Sequence, residues 1–405
     1  MINRNLNAAA GKILTGYRKM LFLSGPRQAG KTTLAKKLLE GAGQGTYFNW
    51  DIINHQKKLI ADPYFFEKEN RDPGRKFTVV FDEIHKYRNW KNYLKGAYDA
   101  YSKDFSFLVT GSGRLDLFKK GGDSLLGRYL PLQLFPLSLG EILGNEPDWN
   151  GFKRSLSDMG TDPGSRKIYQ RLFAFSGFPE PYTRQDPEFY NMWAQERKQL
   201  LVRDDIRSAY AIREISNIEI LANLLPGRVG SPLSVNSLRE DVSAAFDSVK
   251  DWLLILEQFY YLFRLKPFTR SIANSLKKEA KAYLYDWVEV PDEAFRFENL
   301  TALHLYKAAS LWRALGQANT ELFYLRDKQK READFLLTEN GKPAIIIECK
   351  QAKEELSDNL LMFQRKTGAP LAIQLVHKPG VLKKMRHNHQ TQWVISAECF
   401  LKLLP

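Results

Sequence analysis

The sequence predicts an α/β protein of several domains, with a parallel sheet covered by helices in its N-terminal part. The chain of 405 residues is longer than one ordinary domain, and its 44% hydrophobic content is enough for more than one buried core. Over residues 1–145, apolar strand-like runs alternate with helical patterns, as is typical of parallel sheets. A second alternation of strands and helices begins near residue 281. The pattern therefore indicates two α/β regions separated by a mostly helical one.

Composition and charge exclude several classes of protein. Only two cysteines occur, so the sequence contains neither a disulfide framework nor a thiolate metal cluster. No apolar stretch is long enough to cross a bilayer, and the first residues lack the apolar region of a signal peptide. We therefore expect a cytoplasmic protein with no membrane partner. The net charge of +14 favours a polyanionic partner, with nucleic acid, and DNA rather than RNA, as the expectation; a basic surface that only confers solubility is the alternative.

The strongest motif is the segment Gly25–Thr32, which fits the pattern G-x-x-x-x-G-K-[ST] at every fixed position. It follows an apolar run and precedes a helical pattern. Gly25 and Gly30 allow the backbone to turn its N–H groups toward phosphate oxygens, and the positive end of the helix points to the same place. Lys31 is expected to reach the β- and γ-phosphates, and Thr32 to ligate Mg²⁺. The predicted nucleotide-binding residues are Gly25, Pro26, Arg27, Gln28, Ala29, Gly30, Lys31, Thr32 and Thr33. An ordinary glycine turn before a helix is the alternative.

Two carboxylates follow a second apolar run, 77–81. Such a run is typical of a buried parallel strand, and its last residues then lie at the carboxyl edge of the sheet. Asp82 is predicted to hold Mg²⁺, directly or through water, and Glu83 to polarise the attacking water as a general base. An apolar run that ends in Asp-Glu is a weak signal alone and is often only a strand end. Together with the loop about fifty residues upstream it indicates a catalytic nucleotide site.

Polar and basic residues after a third apolar run, 105–109, are further candidates. Thr110 or Ser112 is expected to lie between the two motifs and to sense the γ-phosphate; a plain strand-to-loop turn is the alternative. Arg114 and Arg128 follow, and either is a candidate arginine finger for the nucleotide of a neighbouring subunit in a homo-oligomer. A solvated surface arginine is the alternative for each of them.

The order of elements over 233–267 is short helix, turn, longer helix and strand, which is typical of a winged helix-turn-helix. The first helix is predicted to begin at Ser234, and the second to run from Ser243 to about Phe259. Acidic residues outnumber the single lysine of this second helix, Lys250, so it suits a DNA groove poorly. Basic residues follow it, namely Arg264, Lys266, Arg270, Lys277, Lys278 and Lys281. A DNA contact through the wing and a packing module without DNA binding are therefore both open.

Three charged residues of the C-terminal region form a further pattern. Asp334 lies in a strand-like run that is followed by a polar hairpin and the apolar run 344–347. Strand alternation places Glu348 and Lys350 on one face, and the hairpin can bring Asp334 beside Glu348. Two carboxylates could then hold Mg²⁺, while the lysine orients a water or stabilises developing charge on a phosphate. A charged strand end without a function is the alternative.

The N-terminal motifs together resemble those of one family. They are Gly25–Thr33, Phe81–His85, Thr110–Ser112, Leu125–Tyr129 and Leu134–Glu141. The set resembles prokaryotic AAA-superfamily ATPases that carry a winged helix and a restriction-endonuclease-like C-terminal domain. Asp334, Glu348 and Lys350 resemble the D…E-x-K core of PD-(D/E)XK nucleases. Glu298, at the head of its helix, matches the acidic residue on the first helix of such domains, and Gln364 on the next helix is a weaker match.

The resemblance implies four regions: an AAA-type P-loop ATPase core at 1–145, a helical lid or linker at 146–215, a winged helix at 216–280 and a nuclease-like domain at 281–405. It also implies ATP and Mg²⁺ as cofactors, although no residue excludes GTP. Nuclease-like domains often keep their shape after losing catalysis. Two functions are therefore open. One is an ATPase coupled to nucleic-acid binding or Mg²⁺-dependent cleavage. The other is an ATPase switch or scaffold whose nuclease-like domain is inert.

Overall fold

The computed structural model describes residues 2–113, 125–210, 215–269, 279–387 and 389–405. The strands are β1 (Met20–Ser24), β2 (Gly45–Asn49), β3 (Phe77–Asp82), β4 (Phe105–Gly111), β5 (Tyr129–Gln133), β6 (Leu262–Leu265), β7 (Lys281–Leu284), β8 (Thr320–Arg326), β9 (Glu332–Glu339), β10 (Lys342–Lys350), β11 (Leu371–Val376), β12 (Leu382–His387) and β13 (Gln390–Ser396).

The helices are α1 (Asn7–Thr15), α2 (Lys31–Ala42), α3 (Ile53–Ala61), α4 (Trp90–Tyr101), α5 (Leu139–Ile142), α6 (Trp149–Ser155), α7 (Pro163–Phe175), α8 (Pro179–Arg184), α9 (Pro187–Leu200), α10 (Arg207–Ala209), α11 (Ile215–Leu224), α12 (Val235–Asp241), α13 (Phe246–Gln258), α14 (Glu293–Ala314), α15 (Asp358–Thr367) and α16 (Ala397–Leu401). A π-helix, Leu201–Ile206, joins α9 to α10. Among the described residues, no helix is both long and apolar enough to cross a membrane.

The N-terminal sheet has five parallel strands in the order β2-β3-β4-β1-β5, and it confirms the predicted α/β core. β1, β3 and β4 are buried along their whole length, as expected for continuous apolar runs in a parallel sheet. Leu21 and Leu23 pack on one face of the sheet, whereas Met20 and Phe22 pack on the other. Because the strands are parallel, the carboxyl ends of β1, β3 and β4 meet at one edge.

The region after α11 follows the predicted order of helix, helix and strand, with two differences. The second helix, α13, begins at Phe246 and not at Ser243, because Ser243 has a φ of 51° and this left-handed backbone cannot continue into a helix. The strand that sequence analysis placed at the start of the C-terminal region forms as β7, and it pairs antiparallel with β6. The boundary predicted between residues 280 and 281 therefore separates two hydrogen-bonded strands.

The C-terminal region forms a mixed six-stranded sheet in the order β12-β13-β11-β10-β9-β8, and the long helix α14 packs against it. This second sheet confirms the α/β prediction for the C-terminal part. The side chain of Asp292 caps α14 by accepting a hydrogen bond from the Phe295 N–H at 3.0 Å, so the helix begins at Glu293. The prediction that Glu298 heads this helix was therefore wrong by more than one turn.

A buried ion cluster joins the N-terminal region to the long helix α14 of the C-terminal region. The carboxylate of Glu141, which lies in α5, contacts Arg4 Nε at 2.9 Å and Lys307 Nζ of α14 at 2.5 Å. Arg4 Nη1 also donates to the Ala29 carbonyl at 2.6 Å. Burial alone would raise the pKa of Glu141, but Arg4 and Lys307 outweigh it and lower that pKa to about 2. Glu141 is therefore charged at neutral pH. Through Arg4 and Lys307 it connects the loop Gly25–Thr32 to α14.

Replacing Glu141 with alanine is expected to lower the free energy of unfolding by about 3–5 kcal/mol, because it leaves two buried cations without a counter-charge. Denaturant unfolding at pH 7 measures the loss, with Glu40→Ala, an exposed glutamate of α2, as the control. Since the pKa of Glu141 is lower in the folded chain than in the unfolded one, its contribution is present above about pH 5 and is lost as the pH falls toward 2. An unfolding free energy equal to that of the parent would contradict the role of the cluster.

Candidate functional site

An open cavity of about 420 Å³ lies at the carboxyl edge of the N-terminal sheet. Its walls come from the loop after β1, the ends of β2, β3 and β4, the start of α8 and the π-helix. The lining side chains include Arg27, Gln28, Gly30, Lys31, Thr32, Thr33, Asn49, Asp51, Asp82, Glu83, Lys86, Ser112, Pro179, Glu180 and Asp205. We call this space the phosphate cavity. It gathers the predicted residues of three strands at one place.

A larger open cleft of about 1100 Å³ lies between α9 and α11. Several charged side chains of this cleft neutralise one another. Arg203 pairs with Glu219 at 2.6 Å, and Lys198 pairs with Glu289 at 2.9 Å. The phosphate cavity has more converging polar groups in less space and is therefore the better candidate for a ligand site.

The phosphate loop, Gly25–Thr32, has the backbone that phosphate binding requires. Gly25 has a φ of 153°, and a Cβ at this position would lie 2.2 Å from the Leu134 carbonyl oxygen. Gly30 has a φ of 96°, which L side chains rarely adopt. Lys31 begins α2 and donates through Nζ to the carbonyls of Gly25 and Pro26, at 2.9 Å each. Burial lowers the pKa of Lys31. The loop therefore holds a buried ammonium at the positive end of a helix.

Asp82 is the centre of a hydroxyl cluster. Its Oδ2 accepts hydrogen bonds from Thr32 Oγ1 at 2.8 Å and from the Tyr47 hydroxyl at 2.5 Å, and its Oδ1 accepts one from the Thr110 hydroxyl. A threonine hydroxyl and a carboxylate so close together at a helix N-terminus fit Mg²⁺, which usually keeps several waters and takes only one or two protein ligands. Thr32 and Asp82 are thus adjacent, as the metal prediction requires. Tyr47 had no sequence signal.

Glu83 lies next to Asp82 in a strained backbone conformation, with a φ of 56°. Such strain is concentrated at functional sites. Its Oε2 lies 3.7 Å from both His85 Nε2 and Lys86 Nζ. Burial raises the pKa of Glu83 to about 7, although Lys31 and Lys86 oppose this. A carboxyl group with this pKa suits proton transfer at neutral pH.

The two candidate sensors differ in their surroundings. The Thr110 hydroxyl is fully buried and bonds to Asp82, so it does not face the cavity. Ser112 lines the cavity, and its buried Oγ has no hydrogen-bond partner among the described residues. A buried hydroxyl without a partner is costly unless a ligand or water satisfies it. The geometry therefore favours Ser112 over Thr110 as the γ-phosphate sensor, which stays a prediction.

Arg128 does not lie in this site. It precedes β5 and pairs with Asp99 of α4 at 2.7 Å, so it lies at the amino edge of the parallel sheet. The phosphate cavity is at the opposite edge. The structure thus places Arg128 away from the nucleotide site of its own chain, and its role as a finger toward the nucleotide of a neighbouring subunit stays a prediction. Arg114, the other candidate finger, lies outside the described residues.

Sequence reasoning missed the groups that reach this site from distant segments. Arg27 Nη1 contacts Asp204 at 3.0 Å and Asp205 at 2.7 Å, both on the π-helix. Asp205 also lines the phosphate cavity. More than 170 residues separate Arg27 from these acids, and no local pattern announces such a contact. Nor did any signal link Arg4 to the loop carbonyl that it binds.

A smaller, mostly apolar cavity of about 200 Å³ adjoins the phosphate cavity. Gly30, Thr33 and Pro179 line both spaces. The remaining walls are provided by Ile2, Arg4, Leu34, Lys37, Leu137 and Thr183. We call this space the base cavity, because its apolar walls beside the phosphate cavity suit the planar ring of a nucleobase.

The C-terminal acids lie on two paired strands. Asp334 on β9 accepts a hydrogen bond from the Cys349 N–H at 2.8 Å, and Lys350 Nζ lies 2.6 Å from Glu348 Oε1 on β10. The other carboxylate oxygen of Glu348 is buried and has no hydrogen-bond partner among the described residues. Burial raises the pKa of Glu348. The structure thus brings together the three residues of the predicted D…E-x-K pattern.

Two further predicted residues have other partners. Glu298 is buried and lies 3.4 Å from the ammonium of Lys281, which also approaches Glu332 at 3.1 Å and Asp334 at 4.0 Å. Lys281 is therefore a buried counter-ion and not the surface residue that its basic neighbourhood suggested. Gln364 bonds to Gln392 of β13 at 2.8 Å, which accounts for its burial.

The fit of a metal to this acidic centre is partial. Among the described residues, no group of three or more His, Cys, Asp or Glu side chains is arranged to hold a metal ion. Asp334 and the free oxygen of Glu348 offer two carboxylates, which is a sufficient protein contribution for Mg²⁺. Glu298 is neutralised by Lys281 and adds no third ligand.

Comparison with known families agrees with the N-terminal geometry. Residues 17–143 match a family model described as an AAA domain. This domain contains the whole phosphate loop, Asp82, Glu83 and the carboxyl ends of the sheet. Residues 166–287 and 295–400 match two domains of unknown function, DUF8612 and DUF4143. The first of these matches includes both β6 and β7.

Proteins that match a larger part of the chain are distant relatives. The uncharacterised protein MJ1544 of Methanocaldococcus jannaschii is 26% identical over 284 residues, which are 67% of this chain and 60% of that protein. An uncharacterised protein of Haemophilus influenzae is 22% identical over 65% of this chain and 66% of its own length. The chain thus spans less than two thirds of each. Rv2008c, an uncharacterised protein of Mycobacterium tuberculosis, is 21% identical over 80% of this chain and 68% of its own length.

Solved structures give weaker similarity. AMPPCP-bound DnaA of Aquifex aeolicus has a TM-score of 0.32 and 10% identity, covering 62% of this chain and 86% of that one. The Hsp104–ADP complex of S. cerevisiae has a TM-score of 0.30 and 12% identity, covering 76% of this chain and 44% of that one. Scores this low carry no structural argument, and the assignment of the AAA domain rests on the family match.

Proposed function

We propose that the AAA domain binds and hydrolyses ATP with Mg²⁺. The observation that carries this proposal is the 2.8 Å hydrogen bond between Thr32 of the phosphate loop and Asp82 at the end of β3, with Glu83 in the same cavity. This bond joins the two halves of a nucleotide-hydrolysing site that the sequence keeps fifty residues apart. A glycine turn without a function would need neither the carboxylate nor the buried lysine.

Each residue of the site has a separate role in binding or hydrolysis, which follows from its position. Loop N–H groups and Lys31 would bind the phosphates, and Thr32 and Asp82 would hold Mg²⁺. When bound, the metal would neutralise part of the phosphate charge. Glu83 accepts a proton from the attacking water, and its pKa near 7 lets it act at neutral pH. Ser112 offers its free hydroxyl to the γ-phosphate.

The base cavity is an argument for ATP as the nucleotide. Its apolar walls, which include Leu34 and Leu137, can pack against the mostly apolar face of adenine. Measuring phosphate release with ATP and GTP in parallel tests the proposal. We expect Mg²⁺-dependent turnover of ATP. Absence of both turnover and ATP binding in the full chain, with DNA and with RNA present, would contradict the proposed function.

The ATPase is further proposed to act on nucleic acid together with the C-terminal domain. The +14 charge supports a polyanionic partner, with DNA preferred over RNA, and the Glu141 cluster supplies a path between the phosphate loop and α14. A homo-oligomer in the cytoplasm remains the expected setting. The basic wing is a weaker argument, because Arg264 already pairs with Glu257 at 2.7 Å. Arg270, Lys277 and Lys278 lie outside the described residues.

A second candidate function is Mg²⁺-dependent cleavage of nucleic acid at the C-terminal centre. The observation that favours it is the unpartnered buried oxygen of Glu348 beside Asp334. Asp334 and Glu348 would hold the metal, and Lys350 would orient a water. The inert alternative, an ATPase switch or scaffold, is favoured by the Lys281 ammonium, which already contacts Glu298 and Glu332 and lies 4.0 Å from Asp334.

Replacing Glu348 or Lys350 with alanine separates these alternatives. If the centre cleaves, each variant is expected to lose about 100-fold or more of the Mg²⁺-dependent activity, since it removes a metal ligand or a charge that stabilises the transition state. Cleavage of assorted DNA and RNA substrates is measured at high enzyme concentration, with Glu355→Ala, an exposed glutamate after β10, as the control. A parent protein without cleavage under these conditions would leave only the inert alternative.

A further inference from the structure

Arg27 lies in the phosphate cavity and bridges the phosphate loop to the π-helix. Its guanidinium uses a single nitrogen, Nη1, for the contacts with Asp204 at 3.0 Å and Asp205 at 2.7 Å. No described residue accepts a hydrogen bond from Nε or Nη2. Two nitrogens of this rigid fork, with three N–H groups, are therefore left for a further anion. Arg27 and Glu83 both line the phosphate cavity, so the guanidinium shares this space with the proposed water-activating group.

The local helix geometry explains how two successive acids reach one guanidinium. Neighbouring residues of an α-helix point about 100° apart and do not share a contact surface. The π-helix Leu201–Ile206 widens the turn here, and Asp204 and Asp205 both contact Arg27 Nη1. Single π-turns of this kind are frequent at functional sites.

Asp205 has a second unusual property. Its side chain is only 3% exposed, lines the phosphate cavity, and leaves Oδ2 buried without a partner among the described residues. Burial raises the pKa of Asp205, although Arg27 and Lys31 oppose this. A buried carboxylate with one oxygen left without a partner costs free energy of folding. A purely structural ion pair with Arg27 is therefore a weak reason for its presence.

We propose that Arg27 contacts the terminal phosphate of ATP as an arginine finger supplied by the same chain, and that Asp205 positions it from the π-helix. The free Nε and Nη2 match two phosphate oxygens, while Nη1 keeps its bond to Asp205. The inference rests on the proposed ATPase function. It assigns a catalytic role to Arg27 and a positioning role to Asp205. It also links the π-helix, through Arg27, to the γ-phosphate, which ATP has and ADP lacks.

The test compares Arg27→Ala, Arg27→Lys and Asp205→Ala in the full chain, with binding of labelled ATPγS and ADP measured beside ATP turnover. We expect Arg27→Ala to lower kcat by about 100-fold or more. It should also weaken binding of ATPγS while leaving that of ADP unchanged. Arg27→Lys should recover little, because an ammonium cannot contact both the phosphate and Asp205 in fork geometry. Arg203→Ala, an exposed arginine of the same π-helix that pairs with Glu219, is the matched control.

The positioning role of Asp205 is tested by a double-mutant cycle. If Asp205 acts through Arg27, the variant Arg27→Ala/Asp205→Ala should be no slower than Arg27→Ala alone. Equal loss of ATPγS and ADP binding in Arg27→Ala would show a structural bridge and overturn the proposal, as would parental kcat. The binding arm gives a result even in a parent that does not turn over ATP. Failure of the ATPase proposal is therefore distinguishable from failure of this one.

Discussion

Replacing Lys31 with alanine is expected to abolish ATP turnover and to weaken ATP binding by about 100-fold or more. Lys31 is buried at the N-terminus of α2, and its ammonium already bonds two carbonyls of the loop at 2.9 Å. These carbonyls hold the side chain over the cavity, so it can transfer to phosphate oxygens without a large movement. Alanine removes the buried ammonium, while Arg27 and the backbone N–H groups of the loop remain.

The measurement is phosphate release together with equilibrium binding of a labelled ATP analogue. Lys57→Ala, which removes an exposed lysine of α3, is the control for the loss of one positive charge. Thermal unfolding of the Lys31 variant should be close to that of the parent, since this buried ammonium is costly to desolvate and contributes little to stability. Unchanged turnover in Lys31→Ala would overturn the assignment of the nucleotide site.

Replacing Glu83 with glutamine is expected to reduce kcat by about 1000-fold and to leave ATP binding intact, because glutamine keeps the size of the side chain but cannot accept the proton. The parent should also show a characteristic pH dependence. Glu83 is protonated below its pKa of about 7 and is inactive as a base there, so kcat/KM should rise as the pH passes through about 7. In Glu83→Gln the residual activity should lack this step.

Turnover at pH 5.5 to 9 with saturating and limiting ATP measures both effects. Glu67→Gln, on an exposed glutamate in the same part of the chain, is the control. A variant that loses ATP binding together with turnover would indicate that Glu83 supports the cavity and does not activate water. Parental turnover in the variant would assign the base to another group.

The parts of this protein that were predictable from sequence share one property, which is that they are local. The phosphate loop uses donors from one continuous segment, and its two glycines and lysine keep their roles wherever that segment lies. The same holds for the carboxyl ends of β3 and β4, because alternation of strands and helices implies a parallel sheet and thus a common edge. The D…E-x-K pattern was predictable because a hairpin joins its two strands.

Errors arose where the residue type was known but its position in the fold was not. The start of α14 was predicted more than one turn too late, because Asp292 caps the helix ahead of Glu298. Lys281 was counted with basic surface residues, although β7 carries it into a buried acidic cluster.

By itself, the sequence determined the parallel core, the phosphate loop and the carboxylates that face it, since hydrogen-bonding patterns and strand alternation are set within short segments. Only the tertiary structure decided which charges meet. Arg27 and Asp205, and likewise Arg4, Glu141 and Lys307, come from segments more than a hundred residues apart. A charged residue in a sequence can be solvated, paired or buried, and its partner is chosen by the packing of distant elements, which no local pattern records.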